Sequence, residues 1–413
     1  MTEPAPGPDA LREPAGLYLH IPYCSAICPY CDFAVRRGDG HKADTFADVL
    51  VDEIAGVASG RLRPEAQQLA DAVAELAGST FDSVYFGGGT PSLLSETSLE
   101  KILDALREHF RLAPHTRLYL EANPEHVSLE HAQAWRRLGI QTLSLGVQAL
   151  DQGALRFLGR AHGPDDARRA VAAAREAAFD TVSIDLIYGL PGQTPDDWRR
   201  QLDQALELEI DHLSLYELEI HERTSFGKMA RRGQLEPLDE DARGQLFLDT
   251  HRRLAGSLDA YEVSNFARSP KHRSRHNQKY WRHVPYLGLG PSAHSLAIGE
   301  NGPWRSWNER LEPRWRRLID DDLSPAAGWE RLPQTALALE AAMLGLRTRD
   351  GLDLDHAQTL SGIDLWPRNA ELFERWLQRG WHHIDGRRLR PTFEGLARAD
   401  RLAAEIDVES PTE

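Results

Sequence analysis

Two rhythms of apolar and polar positions alternate along the first half of the chain. Short runs that are apolar or alternate with period two recur at Leu17–Ile21, Ser83–Phe86, Arg117–Glu121, Thr142–Val147, Thr181–Tyr188 and His212–Leu218. Bounded by Gly, Pro, Asn and Asp, such runs predict strands. Between them the apolar residues fall at helical spacing: Phe46, Val49, Leu50, Ile54 and Val57, then Leu99, Ile102, Leu103, Leu106 and Phe110. Residues 59–77 predict further helix after a loop. Thr194 is placed to cap a helix opened by Pro195 that buries Trp198, Leu202, Ala205 and Leu206. Strand and helix alternating in this way predict βα units and a parallel sheet wrapped by helices. Right-handed crossovers leave an open doubly wound sheet or a curled partial barrel, and the pattern does not choose between them.

Beyond about residue 225 the alternation loosens. A helix is predicted from Asp239 to Leu254, followed by Tyr261–Phe266, HNQKYW at 276–281, GLGPSAHS at 288–295 and a Trp- and Arg-rich connector, Trp304–Arg317. A separate unit begins near Leu332, with helices at Ala336–Leu346 and Glu371–Gln378 and a last one at Phe393–Ile406. Asp385-Gly386 between WHHI and RRLRP signals a hairpin. Helices with a hairpin suggest a winged-helix-like module, here a packing element. The expected organisation is a lead-in over 1–16, a βα core over 17–225, an extension and connector over 226–331, the small module over 332–406, and a polar tail over 407–413.

The charge balance narrows the partners. A formal net charge of −15 disfavours nucleic acid, since neutralising phosphates needs a basic surface. No run approaches the roughly 18 apolar residues that a membrane span requires. The N-terminal MTEPAPGPDALREPAG lacks the basic and apolar regions of a signal peptide, so a cytoplasmic, reducing location is expected.

The chain has three cysteines, Cys24, Cys28 and Cys31, spaced C-x3-C-x2-C just past the first predicted strand. Three thiols leave one unpaired in any disulfide scheme and fall short of a four-ligand structural zinc site. On one short loop they can hold three irons of a [4Fe-4S] cluster and leave the fourth iron open. Most other candidates also lie at strand carboxyl ends, which converge on one face in parallel βα folds. Gly87-Gly88-Gly89 allows close backbone approach and offers amides to a ligand carboxylate. Glu121 and Asp185 are strand-end acids that need a partner if buried, and a cationic sulfonium or a ribose diol suits them.

The sequence HIPYC followed by ICPYCDF resembles the cluster loop of the radical S-adenosylmethionine (radical SAM) superfamily, in the branch of the oxygen-independent coproporphyrinogen III oxidases (HemN) and the haem chaperones (HemW). The resemblance runs from Tyr18 to the C-terminal module. It implies an α/β fold, a partial (β/α)6 radical SAM barrel with a small C-terminal α+β winged-helix-like module. It also implies a [4Fe-4S] cluster on Cys24, Cys28 and Cys31, and S-adenosylmethionine (SAM) bound by residues at Tyr18, Tyr30, Gly88, Gly89, Thr90, Glu121, Gln148, Arg160 and Asp185.

Within that branch three features separate oxidase from chaperone. The oxidases carry a fourth cysteine two residues after the third, where this chain has Phe33. They also begin with a longer N-terminal segment, whereas 17 residues precede Tyr18 here. HNQKYW matches the HNxxYW motif that the chaperones carry and the oxidases lack. Imidazole ligates iron, and Tyr and Trp offer flat apolar faces to a porphyrin. The resemblance therefore implies a haem b carrier rather than a coproporphyrinogen oxidase, with no catalytic residue assigned. His276, Asn277, Tyr280 and Trp281 are the haem candidates, apo-haemoproteins such as respiratory-chain proteins the acceptors, and homodimerisation and SAM cleavage open questions.

Overall fold

Strand order decides between the two sheet architectures. In a computed structural model describing residues 13–299 and 302–408, six parallel strands lie side by side in chain order. They are β1 (Ala15–Ile21), β2 (Thr80–Gly88), β3 (Arg111–Ala122), β4 (Thr142–Gln148), β5 (Thr181–Tyr188) and β6 (His212–Glu217). A doubly wound sheet reverses its strand order partway, and this one never does. With right-handed crossovers, every helix then falls on the same face and the sheet curls into a partial barrel. The core lies between that outer face and the helices, where Leu17, Leu19, Ile21, Val84, Phe86, Leu143 and Leu145 meet Phe46, Leu50, Ile102, Leu106 and Trp198.

Both edges of the half-barrel are extended. Beside β6 run two short antiparallel strands, β7 (Asp259–Ala260) and β8 (Asn265–Ala267). Beside β1 runs β9 (Tyr286–Leu289), parallel to it, and then antiparallel β10 (His294–Gly299), β11 (Gly302–Asn308) and β12 (Ala326–Arg331). The predicted connector Trp304–Arg317 is therefore a sheet strand followed by the helix Glu312–Asp320. Its arginines obscured the alternation that buries Trp304 and Ser306. Glu53 ties this extension to the barrel, accepting from Gly290 N at 2.6 Å, Asn308 Nδ2 at 2.9 Å and Trp315 Nε1 at 3.2 Å.

The C-terminal unit has its own core of Leu346, Leu354, Leu365, Phe373, Trp376, Leu389 and Leu402. It carries a three-stranded antiparallel sheet, with Gly386 at φ 61° in the expected hairpin turn. Two readings change here. Phe393–Ile406 is two short helices, Phe393–Leu396 and Ala399–Ala404, broken where Arg398 leaves helical geometry, and Leu354–Ser361 is an additional helix. At the other end, Ala15 and Gly16 belong to β1 rather than to the lead-in, whose residues 1–12 lie outside the described residues, as do 409–413 of the tail.

Candidate functional site

A cavity of about 850 Å³ opens at the carboxyl ends of the six strands. Cys24, Cys28, Cys31 and Tyr30 line it together with Gly88, Gly89, Thr90, Glu121, Gln148, Arg160 and Asp185. The loop that carries the thiols is tied to the barrel by His20, whose Nε2 meets the Ala34 carbonyl at 3.0 Å. Among the described residues no three His, Cys, Asp or Glu side chains converge on a single ion. Burial pushes Cys24 up to about 11 and raises Cys31; a metal cation that binds a thiol takes the place of its proton. Arg160 brings a positive charge against them. Its Nη1 donates to Cys28 Sγ at 3.3 Å, and its Nη2 donates to Asn123 Oδ1 at 2.6 Å and to the Gly146 carbonyl at 3.0 Å. The donor set fits a [4Fe-4S] cluster held by three thiolates.

The triple glycine works differently from the sequence expectation. The amides of Gly88, Gly89 and the following Thr90 are already engaged: Gly88 N donates to Glu121 Oε2 at 3.2 Å, Gly89 N to the Ile21 carbonyl at 2.8 Å and Thr90 N to the Tyr23 carbonyl at 2.8 Å. What the glycines supply is proximity. Gly88 has φ 103°, and a Cβ there would sit 2.5 Å from the His20 ring, while one on Gly89 would sit 2.7 Å from two carbonyl oxygens. Gln148 reaches the cavity from a positive φ of 68°, a conformation that a non-glycine residue adopts at some cost.

Glu121 and Asp185 sit on the cavity floor. Glu121 accepts from the Tyr85 hydroxyl at 2.9 Å, and Asp185 accepts from Ser144 Oγ at 3.2 Å. Burial, and for Glu121 the neighbouring Asp185 charge, push Glu121 up to about 7 and Asp185 up to about 6. Two buried carboxylates disfavoured as anions would each be stabilised by a positive charge placed beside them.

Below them the inward residues form an aromatic layer. Tyr18 packs on Tyr85 with ring centroids 6.3 Å apart, and Tyr85 on Tyr119 at 5.4 Å. Tyr18 is in this layer, its hydroxyl 3.1 Å from His20 Nδ1, and is not among the residues lining the cavity. His276 packs against the layer from the other side, 5.2 Å from Tyr85. It lies with Asn277, Tyr280 and Trp281 on the helix Arg275–Trp281. That helix plugs the opposite end of the barrel, where Lys279 Nζ donates to the Pro14 carbonyl at 2.5 Å and meets Asp82 Oδ1 at 2.7 Å. His276 is 1% exposed, with Nδ1 3.0 Å from Ser83 Oγ and Nε2 2.8 Å from the Tyr280 hydroxyl. Both ring nitrogens are thus committed to the barrel floor.

Sequence reasoning missed Asn123, which orients Arg160, and Tyr216, which lines the cavity. The first stands in the strand-end stretch EANPE. The second follows from alternation along β6, which turns Tyr216 to the same side as Ser214.

A singly wound half-barrel with a C-x3-C-x2-C loop at its strand ends defines a radical SAM protein, and the Radical SAM superfamily model matches residues 18–205. The HemN C-terminal domain model matches residues 332–398. Heme chaperone HemW of Mycobacterium tuberculosis (strain ATCC 25618 / H37Rv) is 37% identical over 85% of each chain. The chain belongs to the HemW family, and that membership implies a [4Fe-4S] cluster and SAM. The mouse (Mus musculus) protein "Radical S-adenosyl methionine domain-containing protein 1, mitochondrial" is 35% identical over 96% of this chain and 88% of its own. Coproporphyrinogen III oxidase (HemN) from Escherichia coli shares the fold, with a TM-score of 0.76 and 21% identity over 95% of this chain and 89% of that one. Among the described residues no helix is long and apolar enough to cross a membrane.

Proposed function

We propose that this protein is a haem chaperone: it binds haem and passes it to apo-haemoproteins, with a [4Fe-4S] cluster on Cys24, Cys28 and Cys31 and SAM in the cavity beneath the cysteine loop. When bound, the cluster and SAM supply the capacity for reductive SAM cleavage. The chain's own residues hold the cluster thiolates beside Arg160 and offer Glu121 and Asp185 to the sulfonium and ribose. Tyr30 and Gln148 flank them.

The observation that carries the reading is the charge of the cavity wall. Besides Glu121 and Asp185, which are assigned to SAM, four carboxylates line it (Asp32, Glu217, Glu219 and Glu240) against two guanidiniums. Arg160 is engaged by Cys28, Asn123 and Gly146, and Arg243 by Glu217. An oxidase must draw the propionate arms of a polycarboxylate porphyrinogen down to SAM, and this wall repels them. A carrier can leave haem propionates in water. Phe33, standing where the oxidases place a cysteine, supports the same side.

The test is anaerobic reconstitution of the cluster, followed by addition of a one-electron reductant (dithionite), SAM and coproporphyrinogen III. Formation of protoporphyrinogen at a catalytic rate contradicts the proposal; no turnover, with stoichiometric haem binding by the same preparation, supports it.

A further inference from the structure

The barrel floor holds the histidine of HNQKYW with both nitrogens engaged, so the iron of an incoming haem needs a different partner. Of the residues that line the cavity, His221 is the one histidine. Its side chain is 47% exposed, and its Nε2 lies 3.3 Å from Glu219 Oε2. That carboxylate stands beside Nε2 as an ion-pair contact, and Nδ1 has no partner among the described residues. A carboxylate on the far nitrogen is the usual companion of a metal-binding imidazole, because it fixes the tautomer and raises the ligand's basicity.

The backbone holds His221 in place while its ring stays accessible. The His221 carbonyl accepts from Thr224 Oγ1 at 2.7 Å and from Thr224 N at 3.0 Å, and Phe226 N donates to the Pro29 carbonyl of the cysteine loop at 2.9 Å. The turn that carries His221 is thereby fastened to the cluster loop. Across the mouth, that loop presents Phe33 at 67% exposure and Ile27 at 52%. Tyr216, also exposed, lines the same cavity. Three of the eight exposed large apolar residues among those described thus gather at one opening, a concentration that marks a ligand surface rather than scattered exposure.

We propose that haem docks across the mouth of the cavity, its face on Phe33 and Ile27 and its iron ligated by Nδ1 of His221. This rests on the haem-chaperone reading and names the site that reading requires. Ligation exchanges a water on the iron for the imidazole and needs no redox step. The propionates stay at the rim, where Arg310, donating to the Asp32 carbonyl at 3.1 Å, supplies a positive charge.

The experiment uses the full chain with its cluster loaded anaerobically, so that the three thiols are not offered to haem. Haemin is titrated into the wild type, His221→Ala, His221→Met and Phe33→Asp, and the Soret band is followed. Cluster absorbance in each variant reports an intact loop. The expected results are about a tenfold or greater loss of affinity in His221→Ala and weaker binding in Phe33→Asp. In His221→Met, binding persists with a shifted Soret band, because the ligand atom is now sulfur. Wild-type affinity and spectrum in both His221 variants overturn the site while leaving the chaperone reading intact. A wild type that binds no haem overturns the chaperone reading itself.

Discussion

Protonation of the cavity floor should control SAM binding. Glu121 is pushed up to about 7 and Asp185 up to about 6, each chiefly by burial. A cationic ligand prefers both as anions, so binding releases protons wherever they are protonated in the free protein, and affinity must rise with pH. At pH 6, Glu121 is ionised in about a tenth of molecules and Asp185 in about half, so both are ionised in about one twentieth; at pH 8 the fraction is about nine tenths. SAM should therefore bind about 20-fold more weakly at pH 6 than at pH 8, a difference of about 1.8 kcal/mol. Equilibrium dialysis of SAM against the cluster-loaded protein at pH 6, 7 and 8 measures this. In Glu121→Gln only Asp185 remains to titrate, and the pH span should shrink to about twofold. The titration of SAM itself is common to both proteins and cancels in the comparison. An affinity that does not change with pH, or an equal pH span in Glu121→Gln, refutes the assignment of these acids to the sulfonium.

Three further outcomes follow from the geometry. His276→Ala leaves the Ser83 and Tyr280 hydroxyls buried without partners, so urea unfolding should show about 3 kcal/mol less stability while haem affinity is unchanged. Gly88→Ala drives a methyl into the His20 ring at a φ of 103°, and should cost about 2–4 kcal/mol and lower the iron content after reconstitution. Glu53→Ala strands three donors, Gly290 N, Asn308 Nδ2 and Trp315 Nε1, and should destabilise by about 3–5 kcal/mol in the same urea assay.

The βα rhythm was readable because each strand's outer face packs on helices, and burial demands apolar residues at fixed spacing. Thr194 shows how far local chemistry carries: its predicted cap is a full capping box, with Asp197 Oδ2 accepting from Thr194 N at 3.0 Å. The curl of the sheet was not readable from the apolar pattern, since it depends on strand order, which no single strand encodes; the resemblance carried by the cysteine loop supplied it. The strand at Trp304 was hidden because arginine and tryptophan can lie on either side of a half-exposed sheet. At the site, residue types and strand-end positions sufficed to gather the thiols, Glu121 and Asp185 around one cavity. Which groups were already spoken for did not show. The amides of Gly89 and Thr90 look free in sequence and are bonded to β1 and its continuation. His276 looks like a ligand and is locked between Ser83 and Tyr280. His221 has no motif around it, and only the turn fastened to Pro29 brings it to the cysteine loop.

The most direct test of a carrier is transfer. The cluster-loaded chain is saturated with haem, freed of excess by gel filtration, and mixed with an apo-haemoprotein whose holo spectrum is distinct. The account predicts that the chain's Soret band is replaced by that of the acceptor, faster than free haem at the same concentration loads it. Haem that stays on the chain, or an acceptor that fills no faster than from free haem, contradicts it.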